Sequence, residues 1–504
     1  MLISTLIPMQ FAVPDFAPAT PEIFLLIAIG VVLLVDLFLK DSQRFITYVL
    51  SQATLLITAG LVIADFNGAN MTEAMQATGK ASITTFSDMF VLDPMAQILK
   101  VAVLLITAGV FVYSRPYLFS RDMYKGEYFT LGLFAVLGMM IMISAKTMLL
   151  IYLGLELLSL AMYAMVAFRR DDGKASEAAM KYFVLGAIAS GMLLYGMSII
   201  YGVTGSLHID HIATYMGTHE VLQNIGLLLG LAFIIVGLGF KLGVVPFQMW
   251  IPDVYDGSPT AVTLFLGTAP KIAAFGMIIR LLVEGLGDMS QGWQQILSML
   301  AALSFVIGNV VAIAQTNIKR MLAYSTISHM GFVLLGIIAA SEIGYAASMF
   351  YIITYSLIAM GAFGIVILLS RNGYEADQLS DLKGLSARHP WYAFMMMLFL
   401  FSMAGVPPTV GFYAKLSVIQ AVVSADIVWL AVVAVVMSVV GAYYYLRAIK
   451  LMYFDQPDEE TGKEVEAGLD FKVLLSANGL SVIALGILPG ALMSLCVMAV
   501  KASF

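Results

Sequence analysis

The sequence contains little charge. Only 12% of its 504 residues are Asp, Glu, Lys or Arg, whereas 61% are hydrophobic and the mean hydropathy is +0.94. An average soluble domain carries roughly 25% charged residues. A soluble chain of this length would form two or three domains with polar surfaces, and this sequence lacks the charges to cover them. The composition therefore predicts an integral membrane protein that lies almost wholly in the bilayer.

Cysteine is also scarce, since Cys496 is the only one. A disulfide framework, a structural zinc site and an iron–sulfur cluster each need several thiolates, so the sequence excludes all three. No G-x-G-x-x-G stretch or P-loop follows a strand-like run, which argues against a nucleotide site. The net charge of −6 argues against nucleic-acid binding. We therefore expect no catalytic residue, cofactor site or metal site in this chain.

Hydrophobic runs long enough to cross a bilayer core of about 30 Å recur along the chain and predict about fourteen transmembrane helices. Lys and Arg are concentrated in alternate loops, so the positive-inside rule places both termini on the periplasmic side of a bacterial inner membrane. The predicted spans lie at roughly 22–40, 45–65, 93–114, 127–145, 147–168, 178–203, 222–250, 259–282, 291–316, 320–340, 343–370, 390–424, 427–452 and 471–500.

Two of these runs contain helix breakers near their middle, with Pro246 in the seventh span and Pro407 and Pro408 in the twelfth. Proline removes a backbone donor and clashes with the preceding turn, so both helices should be broken. Membrane-embedded breaks are tolerated only where protein or water satisfies the freed backbone groups, and paired breaks are typical of transporter repeats. The two breaks lie five spans apart, which gives the two units opposite orientations.

We therefore predict an all-α polytopic membrane protein with two inverted five-helix repeats, each containing a broken helix. The predicted division is an N-terminal three-helix segment at 1–126, a first antiporter-like repeat at 127–282, a second, inverted repeat at 283–455, and an acidic loop with a final helix at 456–504.

Few ionisable residues remain inside the apolar runs. Each buried charge costs at least about 2.5–3.5 kcal/mol, so four or five of them rival the whole stability of an ordinary domain, roughly 5–15 kcal/mol. Such a cost indicates a function. The deep residues are Glu156, Lys241, Lys271, His329 and Lys415, while Lys100 and Lys181 lie nearer the helix ends.

Each of these residues also has a purely structural interpretation. Glu156 would hold two helices together through a cation, and His329, which follows several hydroxyl residues, would be a satisfied core histidine. We expect Lys100 to snorkel toward the membrane surface. Lys181 fits either a surface position or a buried one.

The functional interpretation is a chain of proton sites. A buried lysine binds its proton more firmly when a carboxylate approaches, so a carboxylate that moves between near and far positions acts as a switch. A Glu156–Lys241 pair followed by Lys271, His329 and Lys415 would form such a chain. Hydroxyl groups would order water between the sites, and the candidates are Tyr324, Ser325, Thr326, Ser328, Tyr355 and Tyr413.

Four stretches carry a family resemblance: MKYFVLGAIASG at 180–191, KLGVVPFQMWIPDVYDGSPT at 241–260, KRMLAYSTISHMG at 319–331 and GVPPTVGFYAK at 405–415. Together they resemble the antiporter-like membrane subunits of respiratory complex I (NADH:quinone oxidoreductase), and among them the bacterial N subunits. The resemblance covers nearly the whole chain. It implies a fourteen-helix subunit with two inverted repeats on a proton path.

The resemblance also implies roles for particular residues and partners. Glu156, Lys241, Lys271 and Lys415 match the proton-carrying positions of the family, and Lys181 matches its sixth-span lysine. FMN, iron–sulfur clusters, quinone and the NADH site would belong to partner subunits, and the neighbours would be other membrane-arm subunits and lipids. One asymmetry stands out, because Lys241 precedes its break whereas Lys415 follows its own.

Two other functions fit the sequence. One is a subunit of a multi-subunit cation/proton antiporter or of a membrane-bound hydrogenase, and the other is a membrane scaffold that transports nothing. The cost of the buried lysines and the two broken helices argue against the scaffold.

Overall fold

The computed structural model describes residues 13–66, 81–370, 374–456 and 467–503, and these form a nearly all-helical bundle. We number the membrane spans 1 to 14 in chain order. The first six are Thr20–Phe38, Phe45–Phe66, Pro94–Ser120, Gly126–Ile143, Met148–Val166 and Gly173–Thr204. Span 7 is Ile225–Leu242 with Trp250–Gly257, and span 8 is Thr260–Leu266, Ala269–Ile278 and the π-helical Ile279–Gly285. The last six are Ser290–Ala314, Ile318–Ile338, Glu342–Leu369, Pro390–Ala404 with Val410–Ser424, Val428–Phe454, and Leu469–Ile487 with Gly490–Ser503.

Smaller elements lie between the spans. Strands β1 (Ile83–Thr85) and β2 (Phe90–Leu92) form an antiparallel hairpin before span 3, with Thr84 opposite Val91. An amphipathic helix, Ile209–Thr218, follows span 6. The remaining helical turns are Ala17–Ala19, Asp41–Gln43, Val221–Gln223, Gly287–Met289, Leu379–Leu382 and Leu385–Arg388. The carboxylates of the predicted acidic loop, Asp458, Glu459, Glu460, Glu464 and Glu466, lie outside the described residues.

The predicted fold class is confirmed. In the described part of the chain, thirteen helices are long and apolar enough to cross a membrane, and the two segments of span 12, of 15 residues each, supply the fourteenth crossing. Six spans begin after a polar side chain that accepts a hydrogen bond from an otherwise unpaired first-turn N–H, which stabilises the helix start. These caps are Asp93, Thr147, Asp172, Asn224, Asn317 and Ser341.

Both predicted breaks are present, and they share one backbone arrangement. The first segment of each broken span ends at a glycine with positive φ, which is +81° at Gly243 and +89° at Gly405. The next N–H then donates back to the last turn, from Val244 to Gly239 O (3.0 Å) and from Val406 to Phe401 O (2.9 Å). This cap needs a residue without a Cβ at the left-handed position, so the two glycines determine where each helix stops.

Two further interruptions were not predicted. Span 8 is interrupted before Pro270, and span 14 before Pro489. Gly486 of span 14 lies directly against the backbone of Pro408 and Thr409, where an added Cβ would collide with the carbonyl oxygen of Pro408. The second interruption therefore packs against the break of span 12.

The helices that carry the deep charges lie in the centre of the bundle. The apolar stretch of span 8 is fully buried and those of spans 10 and 11 nearly so, whereas spans 1, 6, 13 and 14 expose most of theirs. Lys271 and His329 therefore lie in the core of the bundle, so the core contains polar side chains at these two positions.

Candidate functional site

Glu156 projects from span 5 toward span 6, where it is half-buried. The hydroxyl of Ser190 donates to its carboxylate, and the Tyr152 hydroxyl lies 3.3 Å from the same serine oxygen. The carboxylate is therefore held by the Ser190 hydroxyl, which in turn contacts the Tyr152 hydroxyl.

Lys241 lies in the last turn of the first segment of span 7 and donates to Ser159 Oγ at 2.6 Å. Ser159 follows Glu156 by three positions, so the two side chains lie on the same face of span 5. Both Glu156 and Lys241 are described, and no ion pair joins them. The expected Glu156–Lys241 ion pair is therefore not formed. A gap separates the two side chains, with Glu156 accepting from Ser190 and Lys241 donating to Ser159.

Lys271 lies in the first turn of the second segment of span 8, Ala269–Ile278, and is buried, with 1% of its surface exposed. Its ammonium donates to the carbonyls of Leu242 (2.8 Å) and Lys241 (3.3 Å), and it lies 5.1 Å from the centre of the Trp250 ring. These carbonyls are the unpaired acceptors at the end of a broken helix, where the helix dipole favours a cation.

A small cavity lies between Lys241 and Lys271. Its volume is about 10 Å³, and its lining includes both lysines, Tyr182, Trp250 and Pro270. That volume is close to the minimum for one water molecule, about 10–15 Å³, and both ammonium groups can donate to a water placed there.

His329 is buried in span 10 between two tyrosines. Its Nδ1 lies 2.7 Å from the Tyr351 hydroxyl and its Nε2 lies 3.1 Å from the Tyr445 hydroxyl. Tyr445 in turn lies 2.5 Å from Ser325 Oγ. His329 is thus a satisfied core histidine and also the centre of a hydroxyl chain that joins spans 10, 11 and 13.

Lys415 is buried in the second segment of span 12 and donates to the Ala404 carbonyl at 3.0 Å. Its ammonium lies 4.9 Å from the centre of the Phe332 ring. Phe332 stacks on Tyr351, with centroids 5.8 Å apart and planes 8° apart. Since Tyr351 contacts His329, two stacked aromatic rings connect the Lys415 site to the His329 site.

Lys181 and Lys100 lie away from the five deep charges described above, which we call the row. Lys181 is 42% exposed and forms ion pairs with Glu177 and Asp253, each at 2.9 Å. The expectation that Lys100 snorkels is wrong, because its ammonium is buried and lies 2.5 Å from Glu22. Its partner lies on span 1, far away in sequence, so no local pattern indicated the pairing.

Several polar groups of the row escaped the sequence analysis. The position of Ser159, one turn from Glu156, could have identified it from the sequence. No sequence pattern pointed to Ser190, Tyr351 or Tyr445. Of the hydroxyl candidates, Tyr355 donates to Thr326 at 2.8 Å and Ser328 accepts from Asn309 at 3.0 Å. Tyr413 instead packs its ring against Phe350. In the described ranges, no group of three or more His, Cys, Asp or Glu residues is placed to hold a metal ion.

Comparisons with known proteins cover most of the chain. The family described as NADH:quinone oxidoreductase/Mrp antiporter, TM, matches residues 145–441. The NADH-quinone oxidoreductase subunit N of Thioalkalivibrio sulfidiphilus is 59% identical over 493 residues, covering 98% of this chain and 100% of the relative. The corresponding protein of Nitrosomonas europaea is 54% identical over 499 residues, with 98% and 100% covered.

Solved structures resemble the fold. A chain of respiratory complex I from Thermus thermophilus with bound aureothin matches with a TM-score of 0.79 and 29% identity, covering 94% of this chain and 98% of its own. A chain of the Mrp complex from Dietzia sp. matches with a TM-score of 0.83 and 20% identity, covering 96% and 97%, which shows a common fold.

Proposed function

The chain belongs to the family of NADH:quinone oxidoreductase and Mrp antiporter membrane subunits, and on this premise we propose how it moves protons. It is a proton-translocating subunit of the membrane arm of an NADH:quinone oxidoreductase. The protons pass along a row of buried side chains, which are Glu156, Lys241, Lys271, His329 and Lys415.

The observation that most supports this path is the contact pattern of the first two lysines. Lys241 donates to Ser159, Lys271 donates to the end of the Lys241 helix, and a cavity of about 10 Å³ lies between the two ammonium groups. Two cations this close to one helix end repel each other. The arrangement favours one proton at a time on the pair, with a water molecule to carry it across.

Glu156 is the switch in this proposal. With its carboxylate on Ser190, as here, Lys241 has only a neutral partner in Ser159. When the carboxylate turns toward Lys241, the ion pair favours the protonated ammonium. When it turns back, the proton is released toward Lys271, whose ammonium form is stabilised by the helix-end carbonyls.

The second half of the path contains His329 and Lys415. The two tyrosine hydroxyls on His329 offer proton-conducting contacts on both ring nitrogens. Lys415 caps the second broken helix as Lys271 caps the first. We place the second proton-binding position at Lys415, beyond the Phe332–Tyr351 stack.

The electron chemistry belongs elsewhere in the complex. We place the iron–sulfur clusters in partner subunits because this chain has one cysteine, and the NADH and FMN sites there because no G-x-G-x-x-G stretch or P-loop follows a strand-like run. We place the quinone site with them, as the family resemblance implies. We also place the chain in a bacterial inner membrane with both termini on the periplasmic side, on the distribution of Lys and Arg between alternate loops.

The path is tested by Lys241→Ala and Glu156→Ala in inverted membrane vesicles that contain the intact complex. Both variants should lose NADH-driven acidification and most quinone reductase activity. Oxidation of NADH by a soluble electron acceptor should persist, which checks assembly. Lys501→Ala, at an exposed lysine, is the matched control. Full pumping per NADH in both test variants would overturn the path.

The antiporter or hydrogenase alternative is weaker. Resemblance to the Mrp chain at 20% identity extends to the fold alone. Purification of the tagged chain from its native membrane decides between the two functions, because only the oxidoreductase brings a flavin- and cluster-containing arm with it.

A further inference from the structure

A cluster of charged side chains surrounds the second segment of span 7, Trp250–Gly257, and the proton path does not use it. Asp253 lies in the middle of this segment. One of its carboxylate oxygens lies 2.9 Å from Lys181 Nζ of span 6, and the other lies 2.9 Å from a guanidinium nitrogen of Arg320 in span 10. A single carboxylate therefore joins three spans, and it connects the first predicted repeat to the second.

Asp256, one turn later, repeats this attachment. It lies 3.1 Å from Lys174 Nζ of span 6, and it accepts a hydrogen bond of 2.9 Å from Asn317 Nδ2, at the start of span 10. Glu177 supplies a second partner for Lys181, also at 2.9 Å. Three carboxylates thus face three cations, and we call this set the Asp253 cluster: Lys174, Glu177, Lys181, Asp253, Asp256 and Arg320.

The opposite end of the same segment carries Trp250. Its ring stacks on Tyr182, the residue after Lys181, with centroids 4.8 Å apart and planes 17° apart. Its Nε1 donates to the Phe240 carbonyl at 2.9 Å, and its ring lies 5.1 Å from the Lys271 ammonium. Two adjacent residues of span 6 therefore hold both parts of the segment, and the part with Trp250 forms a wall of the cavity of about 10 Å³.

Stability alone does not account for the Asp253 cluster. Partly exposed ion pairs contribute little to the free energy of unfolding, and the side chains of Lys181, Asp253 and Arg320 are 42%, 36% and 29% exposed. A helix of eight residues has little stability of its own, so its position is set by the elements that it contacts. The cavity beside Trp250 is close to the minimum volume for one water molecule, so a small displacement of this segment decides whether a water fits there.

We propose that Asp253 is a positioning residue for proton transfer between Lys241 and Lys271, an inference that rests on the proton path proposed above. Its carboxylate holds the second segment of span 7 between span 6 and span 10. The segment in turn holds the Trp250 ring at the cavity, where the ring determines the space for the water that carries the proton. Lys181 contributes by binding Asp253 rather than by relaying a proton.

The test is Asp253→Asn in inverted membrane vesicles that contain the intact complex. This change removes the charge and keeps the size of the side chain, and Lys181 retains Glu177 as a partner, so the complex should assemble. The measured quantity is the initial rate of NADH-driven acidification, divided by the rate of NADH oxidation with a soluble acceptor. It should fall about tenfold, which is less than the roughly 100-fold that a displacement of about 1 Å can cost. Asp253→Glu keeps the charge and should restore most of the rate.

The matched control is Asp470→Asn. Asp470 pairs with Arg115 at 2.9 Å, and these side chains are 39% and 31% exposed, close to the values for Asp253 and Arg320. The control should pump at the wild-type rate per assembled complex. An unchanged rate in Asp253→Asn would overturn the proposal. A smaller amount of complex with a normal rate per complex would also overturn it, because that result is the signature of a structural ion pair.

Trp250→Phe shows whether Asp253 acts through the ring. Adding Asp253→Asn to this variant should lower the rate no further, whereas two losses that multiply would contradict the positioning role. If Asp253→Asn does not assemble, Arg320→Gln takes its place, since it leaves the Lys181–Asp253 pair intact. A normal rate in that variant would then overturn the proposal.

Lys241→Ala separates this proposal from the path on which it rests. Full pumping in Lys241→Ala removes the path. Loss of pumping there, together with a normal rate in Asp253→Asn, removes only the positioning role of Asp253.

Discussion

The breaks of spans 7 and 12 have the same backbone arrangement, but the lysine that binds each helix end comes from a different span. In both, a glycine with positive φ ends the first segment, and a lysine ammonium binds the last carbonyls and lies over an aromatic ring. At the first break the lysine is Lys271, from span 8, whereas at the second it is Lys415, from span 12 itself. Both broken helix ends are thus bound by a cation, but the two lysines occupy different positions in the sequence relative to their breaks.

This comparison resolves the asymmetry noticed in the sequence. In span order Lys415 of span 12 matches Lys241 of span 7, but in space it matches Lys271, since both ammonium groups bind the carbonyls at a broken helix end. Two residues before Gly243 stands Lys241, and two residues before Gly405 stands Met403. The first break therefore has a lysine that the second lacks, and it is the one that faces Ser159 and Glu156 across the open gap.

The largest effect should come from removing the two capping lysines. Lys271→Met and Lys415→Met each delete a proton-binding group and leave the helix-end carbonyls unpaired, so pumping should fall by about 100-fold, the low end for a proton-transfer group. Acidification by inverted vesicles measures this. If only one of the two variants matters, the two lysines are not equivalent.

The glycines offer a graded test of the two caps. A non-glycine residue in the left-handed region costs about 1–2 kcal/mol. An added Cβ at Gly243 would overlap Ile251, whereas at Gly405 it would meet Lys415 Cδ at 3.0 Å. We expect Gly243→Ala to lower the thermal stability of the complex more than Gly405→Ala does.

The control for this series is Gly205→Ala. Gly205 has a φ of +71° with nothing within 4 Å of an added Cβ, so it measures backbone strain alone. A ranking in which Gly205→Ala destabilises most would contradict the steric account of both breaks.

The aromatic stack at the second break has its own consequence. Phe332→Ala opens a void between Lys415 and the Tyr351–His329 pair and should admit water. We expect vesicles with this variant to lose a preformed pH gradient faster than wild-type vesicles once NADH is spent. Phe305→Ala removes a ring that packs on Phe332 at 4.7 Å, and an equal leak there would remove the special role of Phe332.

The smallest effect should come from Ser159→Ala, at the gap beside the first break. The variant deletes one hydrogen bond to Lys241, worth about 1 kcal/mol, which corresponds to a change of about fivefold. Pumping per NADH should fall by that much, while Ser417→Ala, in span 12, leaves it unchanged. A loss as large as that of the lysine variants would make Ser159 part of the path.

Local patterns predicted the spans and both main breaks, because helix length, proline and glycine act within one helix. They also identified the deep charges, since an ionisable residue in an apolar run is visible in one dimension. They failed where a contact joins distant helices. Lys100 was assigned to the surface because Glu22 lies on another span, and the hydroxyls of Tyr351 and Tyr445 meet His329 only in the folded bundle.

The contact between Gly486 and the break at Pro408 affects how the bundle can move. No side chain separates the two backbones there, so neither can shift by rotamer changes alone. If the break of span 12 moves, span 14 must therefore move with it as a rigid body. Span 14 exposes much of its surface, at Leu469, Val473, Leu480 and Ile487. A contact made at the exposed face of span 14 therefore affects the position of span 12, which carries Lys415.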